Sequence, residues 1–156
     1  MSRSRAIAQA VARFFVLLAV LAFAAPGCSQ FDPPEKQISV VVADVTAAMA
    51  AGELSVDQSE RERATTQVTA TALTDMLKIV DAAATTLGTV SVVDPEQREL
   101  RRRAISEVET AKAAILEAQY AVEKRPGATA LAQTLADIEL VSQDLEALSA
   151  RLPSPR

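Results

Sequence analysis

Four stretches of the chain carry apolar residues at the three- and four-residue spacing that places side chains on one face of a helix. The first predicted helix follows Asp32-Pro33-Pro34-Glu35, with Asp32 as its N-cap, Pro33 in the first helical position and Glu35 in the third position of a capping box. Gly52 is predicted to end this helix. Its apolar stripe consists of Ile38, Val41, Val45 and Ala48.

The second and third helices are predicted from similar starts. Asp57-Gln58-Ser59-Glu60 repeats the capping-box pattern, so a longer helix is predicted from there to Leu87, with Gly88 as its C-terminal cap. Asp94-Pro95-Glu96-Gln97 predicts the start of a third helix, which Pro126-Gly127 ends. Their stripes are Leu73, Met76, Val80, Ala83 and Leu87 in the second helix, and Ala104, Val108, Ala111, Ile115, Ala118 and Val122 in the third.

The last helix is predicted over about residues 128–151, before Pro153 and Pro155. Its stripe consists of Leu131, Leu135, Ile138, Val141, Leu145, Leu148 and Leu152. Four helices joined by short loops predict an all-α, antiparallel up-down four-helix bundle over 35–152, with 153–156 as a disordered tail. Since the first helix is the shortest, three long helices plus a short N-terminal helix is the alternative fold.

The first 25 residues have a different pattern. Residues 1–13 carry three arginines and no acidic side chain, and residues 14–25 are uncharged and apolar. This is the order of a secretory signal. The apolar segment is short for a membrane-spanning helix, which needs about 20 residues.

Ala25-Pro26-Gly27-Cys28 follows this segment and resembles the lipobox of bacterial lipoproteins, in which a small residue precedes the cysteine that becomes the mature N-terminus. The resemblance implies cleavage between Gly27 and Cys28, diacylglyceryl attachment to the Cys28 sulfur and acylation of the new amine. Residues 1–27 would then be the signal peptide, and 28–34 the acylated cysteine and a short tether. Because Cys28 is the only cysteine, it has no disulfide partner within the chain. Ordinary signal-peptidase cleavage after Ala22-Phe23-Ala24 and an uncleaved anchor are the alternatives.

The residue after the cysteine and the net charge indicate where the protein acts. Ser29, rather than Asp, follows Cys28, and resemblance to the sorting rule of Gram-negative lipoproteins implies the outer membrane, facing the periplasm, if the organism is Gram-negative. Residues 1–27 contain three of the 16 basic residues and none of the 20 acidic ones, so the rest of the chain has a formal charge of −7. Such a surface repels phosphate backbones, and no nucleic-acid partner is expected.

The composition removes most kinds of active site. The chain has no histidine and one cysteine, so the usual zinc, copper and haem ligand sets and the Ser-His-Asp and Cys-His pairs cannot be assembled. We expect no enzyme, cofactor or metal site. The predicted function is a non-catalytic, lipid-anchored module of the cell envelope that binds or scaffolds another envelope protein or self-associates. A periplasmic carrier that holds a small apolar ligand between its small-residue helix seams is the alternative.

The third predicted helix carries the candidate contact residues for a partner. Arg98 and Arg102 lie beside a sparse apolar line of Ile105, Leu116 and Tyr120, roughly 100° or more from the main stripe of that helix. In the functional interpretation, the arginines dock an anionic partner, or Tyr120 anchors another protein or protomer. In the alternative interpretation, the arginines form a solvated face with nearby acids, and the apolar line is buried on a second side of the bundle.

Overall fold

The computed structural model describes residues 32–124 and 128–154. These residues form four α-helices and no strand, namely α1 (Pro34–Glu60), α2 (Thr66–Thr89), α3 (Pro95–Lys124) and α4 (Ala128–Ser149). The helices make an antiparallel up-down four-helix bundle, which confirms the predicted fold class. Helices that are neighbours in the chain pack together, α4 packs on α1, and α1 also packs on α3 across the bundle. The predicted signal segment, Cys28 and the Pro126-Gly127 turn lie outside the described residues.

The four apolar stripes form one core, as predicted. Every residue of the first three predicted stripes is buried. In α4, Ile138, Val141, Leu145 and Leu148 are buried, whereas Leu131, Leu135 and Leu152 are partly buried against the core. The sequence pattern missed two fully buried residues of α1, which are Val42 and Val56.

α1 is longer than predicted because Gly52 lies inside it. The helix has 27 residues, so the alternative fold with a short first helix is wrong. Gly52 is buried, and a Cβ atom placed there would lie 3.4 Å from the Sδ atom of Met76 in α2. Gly52 therefore packs against α2 instead of ending the helix. Gly88 also lies within a helix, since α2 continues to Thr89.

The start of α1 also differs from the prediction. Its N-cap is Pro33 rather than Asp32, and the cap makes no side-chain hydrogen bond. Pro34 fills the first helical position, where the missing N–H has no consequence. The carboxylate of Glu35 accepts a hydrogen bond from Nε2 of Gln97 in α3, at 2.7 Å. The predicted capping residue thus connects two helices.

The chain leaves α1 through a residue in the left-handed region, Glu62, with a φ of 56°. The Arg63 amide donates to the Gln58 carbonyl at 2.8 Å, and the Glu62 amide donates to the Ser59 carbonyl at 3.1 Å. These are the two hydrogen bonds of a Schellman motif, which usually has glycine at the left-handed position. The end of α1 is therefore set by backbone hydrogen bonds that no glycine marks in the sequence.

The predicted capping box at Asp57 is consequently wrong, since that residue lies in the last turn of α1. Its carboxylate pairs instead with Arg61, at 2.8 Å. The actual N-cap of α2 is Thr65, whose Oγ1 accepts from the Val68 amide at 3.3 Å. The second helix thus begins eight residues later than predicted.

The start of α3 agrees with its sequence signature. The Gln97 amide donates to Oδ1 of Asp94 at 2.8 Å, and Oε1 of Gln97 accepts from the Val93 amide at 3.1 Å. In the linker before it, Val90 is buried and its carbonyl accepts from Nη1 of Arg101 at 2.8 Å. The linker therefore packs against the end of the core through Val90.

The chain after α4 is attached to the start of α1. The carbonyl of Pro153 accepts a hydrogen bond from the buried hydroxyl of Ser39, at 2.6 Å. Pro153 was predicted to begin a disordered tail, whereas this bond holds it against the bundle. Residues 155–156 lie outside the described residues.

The left-handed backbone at Glu62 predicts that glycine there stabilises the protein. A non-glycine residue in this region costs about 1–2 kcal/mol, so Glu62→Gly should raise the free energy of unfolding by about 1 kcal/mol. Glu60→Gly is the matched control, and it should lower that energy by about 0.5–1 kcal/mol because Glu60 is helical. Urea unfolding curves measure both changes. A destabilising Glu62→Gly would contradict the motif.

The burial pattern of α4 predicts a sharp contrast between two leucines. Leu145→Ala should lower the free energy of unfolding by about 2–5 kcal/mol, because Leu145 is fully buried and the substitution leaves a cavity. Leu140→Ala should change the stability by about 0.5 kcal/mol or less, since that side chain is 59% exposed. Urea unfolding of the two variants compares the costs directly. Similar costs would mean that α4 packs by another face.

Candidate functional site

The structure assembles the predicted contact residues of α3 only in part. Arg98 and Arg102 are exposed, and Ile105 is partly buried against the core. Leu116 is 45% exposed and Tyr120 is 65% exposed. Burial on a second side of the bundle therefore applies to Ile105 but not to the other two apolar residues. Their role as partner contacts stays a prediction.

The arginines near the start of α3 belong to a solvated face. Arg102 makes two hydrogen bonds to Glu99, at 2.7 and 3.0 Å, and Arg103 makes one at 3.3 Å. The hydrogen bond from Arg102 is the main cause that lowers the pKa of Glu99, and it also raises the pKa of Arg102. Arg98 makes no ion pair with any described residue. Exposed pairs of this kind contribute little to stability and offer no preformed anion site.

Leu116 and Tyr120 form a small apolar patch beside the contact between α2 and α3. The ammonium group of Lys124 lies 5.8 Å from the centre of the Tyr120 ring. Lys112 pairs with Asp81 of α2 at 2.7 Å, and the hydrogen bond that its ammonium group donates to this carboxylate raises the pKa of Lys112. Two side chains make a smaller patch than the few hundred Å² typical of a docking surface.

A polar notch of about 500 Å³ lies where the N-termini of α1 and α3 meet the end of α4. Its walls carry four carboxylates and two guanidinium groups. The lining residues are Glu35, Asp94, Glu96, Gln97, Glu99, Leu100, Arg103, Arg151 and Pro153. In the described part of the chain, no group of three or more carboxylates is arranged to hold a metal ion. Gln97 bridges α1 and α3 in this notch, so its polar groups serve the packing of the helices.

An exposed apolar surface lies along one side of α1, and we call it the α1 outer face. It consists of Val40, Ala43, Ala47, Ala50 and Leu54. Val40 is 41% exposed and Leu54 is 57% exposed, and Ala47 and Ala50 are also exposed. Ile79 of α2, which is 44% exposed, lies at the edge of a hollow that Ala47 also lines.

The sequence contains the signal of this face, although the predicted stripes do not include it. The five residues are spaced by three, four, three and four, which is the heptad spacing of a helix contact. This second stripe lies on the opposite side of α1 from the core stripe of Ile38, Val45 and Met49. Because three of its five residues are alanines, this stripe is only a weak apolar pattern. A helix that is apolar on two opposite faces is expected to have contacts on both.

The length and composition of α1 point the same way. α1 is the helix, among the described residues, that is long and apolar enough to cross a membrane. The core accounts for one side of it, and 44% of its most apolar window is buried. Core helices of globular proteins and signal sequences can have the same length and apolar composition, so this property does not by itself assign a membrane span. It does show that much apolar surface of α1 lies outside the core.

The bridging position of Gln97 predicts different effects for two substitutions. Gln97→Ala removes the bonds to Val93 and Glu35 and should lower the free energy of unfolding by about 1–3 kcal/mol, at about 0.5–1.5 kcal/mol per bond. Gln97→Glu keeps the acceptor for the Val93 amide but places a second carboxylate against Glu35. The loss of stability that Gln97→Glu causes should therefore become smaller as the pH is lowered and the repulsion between carboxylates is removed. Urea unfolding at pH 7 and pH 4 measures this, and equal costs for Gln97→Glu at both values would contradict the contact with Glu35.

The chain matches no protein-family model, no curated protein and no solved structure. What the protein does is inferred below from its own residues, packing and charges.

Proposed function

We propose that the protein is a non-catalytic, lipid-anchored component of the cell envelope, and that its helical bundle binds or scaffolds another envelope component. The observation that carries this proposal is the position of Cys28. The only cysteine of the chain stands directly after an apolar segment and small residues, in the order of a lipoprotein signal. A thiol at that position is explained most simply as the acylation site.

The lipid attached to Cys28 would hold the bundle at a membrane surface. A single acyl chain binds a membrane only marginally, whereas the several chains of a lipoprotein give a stable anchor. The bundle itself begins at Pro34, only six residues after Cys28. The outer membrane, facing the periplasm, is the location that Ser29 favours in a Gram-negative organism.

The described residues support binding rather than catalysis. Hydrogen-bonded ion pairs at the surface lower the pKa of Glu99 and raise the pKa values of Arg102 and Lys112. Catalytic groups more often have pKa values shifted by burial or by charges inside a cleft. The surface features of the bundle are instead a polar notch and the α1 outer face, which suit contacts with other molecules.

The alternative proposal of a carrier for a small apolar ligand depends on the alanine-rich seams. In α3 these alanines, including Ala104, Ala111 and Ala118, are buried in direct contact with the core. A carrier would have to separate the helices and give up that packing. We therefore favour the anchored binding module.

The acylation of Cys28 is tested by the intact mass of the protein isolated from the membranes of an expressing bacterium. The expected mass is that of residues 28–156 plus acyl chains, because cleavage and acylation occur together at the cysteine. Cys28→Ala is the control, and it should lose both the acyl mass and the membrane attachment. An unmodified chain that begins at Ala25 in the soluble fraction would contradict the proposal and indicate ordinary secretion.

A further inference from the structure

The α1 outer face has the shape of a helix-docking surface. Val40 to Leu54 spans about 21 Å, at a rise of about 1.5 Å per residue. Large side chains stand at its two ends, and the alanines lie between them. Because alanine side chains are short, the axis of another helix can approach α1 closely along this middle part, as it does in alanine-rich helix pairs.

Hollows on both sides of the α1 outer face continue this surface. A hollow of about 660 Å³ lies between α1 and α2, where Ala47, Ala51, Ala72 and Ile79 contribute apolar walls. Another of about 530 Å³ lies between α1 and α4. An alanine ridge between two grooves allows the side chains of a docked helix to enter both. This arrangement is the helix-in-groove mode of recognition.

The borders of the α1 outer face are acidic. Asp44 lines the hollow towards α2, Glu146 lines the hollow towards α4, and Glu53 lies beside Leu54. None of these three carboxylates makes an ion pair with a described residue. The nearby cations Arg61 and Lys78 are already paired, with Asp57 and Asp75 respectively. Lys36 lies on the same side of α1, one turn before Val40.

We infer that the α1 outer face binds an amphipathic α-helix of a partner protein, with a narrow apolar seam at heptad spacing and lysine or arginine residues on both flanks. The apolar seam covers the alanine ridge, and the basic flanks meet Asp44, Glu53 and Glu146. This inference rests on the binding role proposed above and names the chemistry of the partner. Charges at the flanks of a helix seam usually decide which helices pair.

The same charges disfavour two other occupants of the face. A second copy of this chain would bring two sets of acidic borders together, because a two-fold dimer places the same surface patch on both sides of the interface. An anionic membrane surface would be repelled by the same carboxylates. A basic helix is the partner for which shape and charge agree.

Two synthetic helical peptides, about four heptads long, test the inference. Both carry leucine and alanine in the seam, and they differ only in having lysine or glutamate at the flanking positions. Each is labelled with fluorescein and titrated with the full chain in a non-ionic detergent, and binding is followed by fluorescence anisotropy. The lysine peptide should bind at least about tenfold more tightly than the glutamate peptide, and its binding should weaken as salt screens the flanking charges.

Matched variants separate docking on α1 from general attraction to an acidic protein. Ala47→Arg places a large cation on the ridge and should weaken binding of the lysine peptide about tenfold or more. Ala113→Arg makes the same change at an exposed position of α3 and should leave the affinity within about twofold. Asp44→Lys combined with Glu146→Lys should shift the preference towards the glutamate peptide. Thermal unfolding checks that each variant keeps its fold.

Several outcomes would overturn the inference. Equal affinity for the two peptides, or equal effects of Ala47→Arg and Ala113→Arg, would show that the face does not select a basic helix. A dimer of the full chain in sedimentation, dissociated by Ala47→Arg, would assign the face to a second copy. Binding of the Cys28→Ala chain to phosphatidylglycerol vesicles, lost with Ala47→Arg, would assign it to the membrane. Acylation of Cys28 is measured separately, so failure here is distinguishable from failure of the lipid anchor.

Discussion

The helices of the bundle can lie close together because the side chains at their contacts are small. α3 buries mostly alanines, namely Ala104, Ala111, Ala114, Ala118 and Ala121. α1 contributes Ala48 and Gly52, and Gly52 faces Met76 of α2. Since interaxial distances shorten as the side chains at the contact become smaller, these residues let the helices approach closely. α1 can therefore pack on α2, on α4 and, across the bundle, on α3. The rest of the fold depends on this close packing.

Only one side of α1 packs in the core, and the opposite side stays exposed. The core stripe of α1 is filled by Ile38, Val42, Val45, Met49 and Val56. The α1 outer face has the same apolar character but no contact with another described helix that would cover it. Exposed apolar surface of this kind marks interaction sites on many proteins. The helix that organises the interior is thus also the helix best suited to hold a partner.

Three polar contacts between separate parts of the chain lie at one end of the bundle. Gln97 connects α3 to Glu35 at the start of α1, and the Ser39 hydroxyl holds the carbonyl of Pro153 after α4. Arg101 holds the linker after α2 in the same region. Together these bonds connect the N-termini of α1 and α3 to each other, to the linker after α2 and to the residues after α4. They satisfy backbone and side-chain groups that the apolar core cannot, and they add directional contacts to packing that is largely non-directional.

The sequence by itself determined the helical class, the four core stripes and the cap at Asp94, because each follows from residue spacing or from hydrogen bonds within a few residues. It also contained the heptad signal of the α1 outer face, although alanines made that signal weak. The tertiary structure decided where α1 ends, because Gly52 is used for close contact with Met76 and the left-handed residue is Glu62. It also decided which α3 side chains are exposed and brought Glu35 to Gln97, 62 positions along the chain. Local patterns fix which face of a helix is apolar, whereas only the packing of all four helices decides which apolar faces are covered.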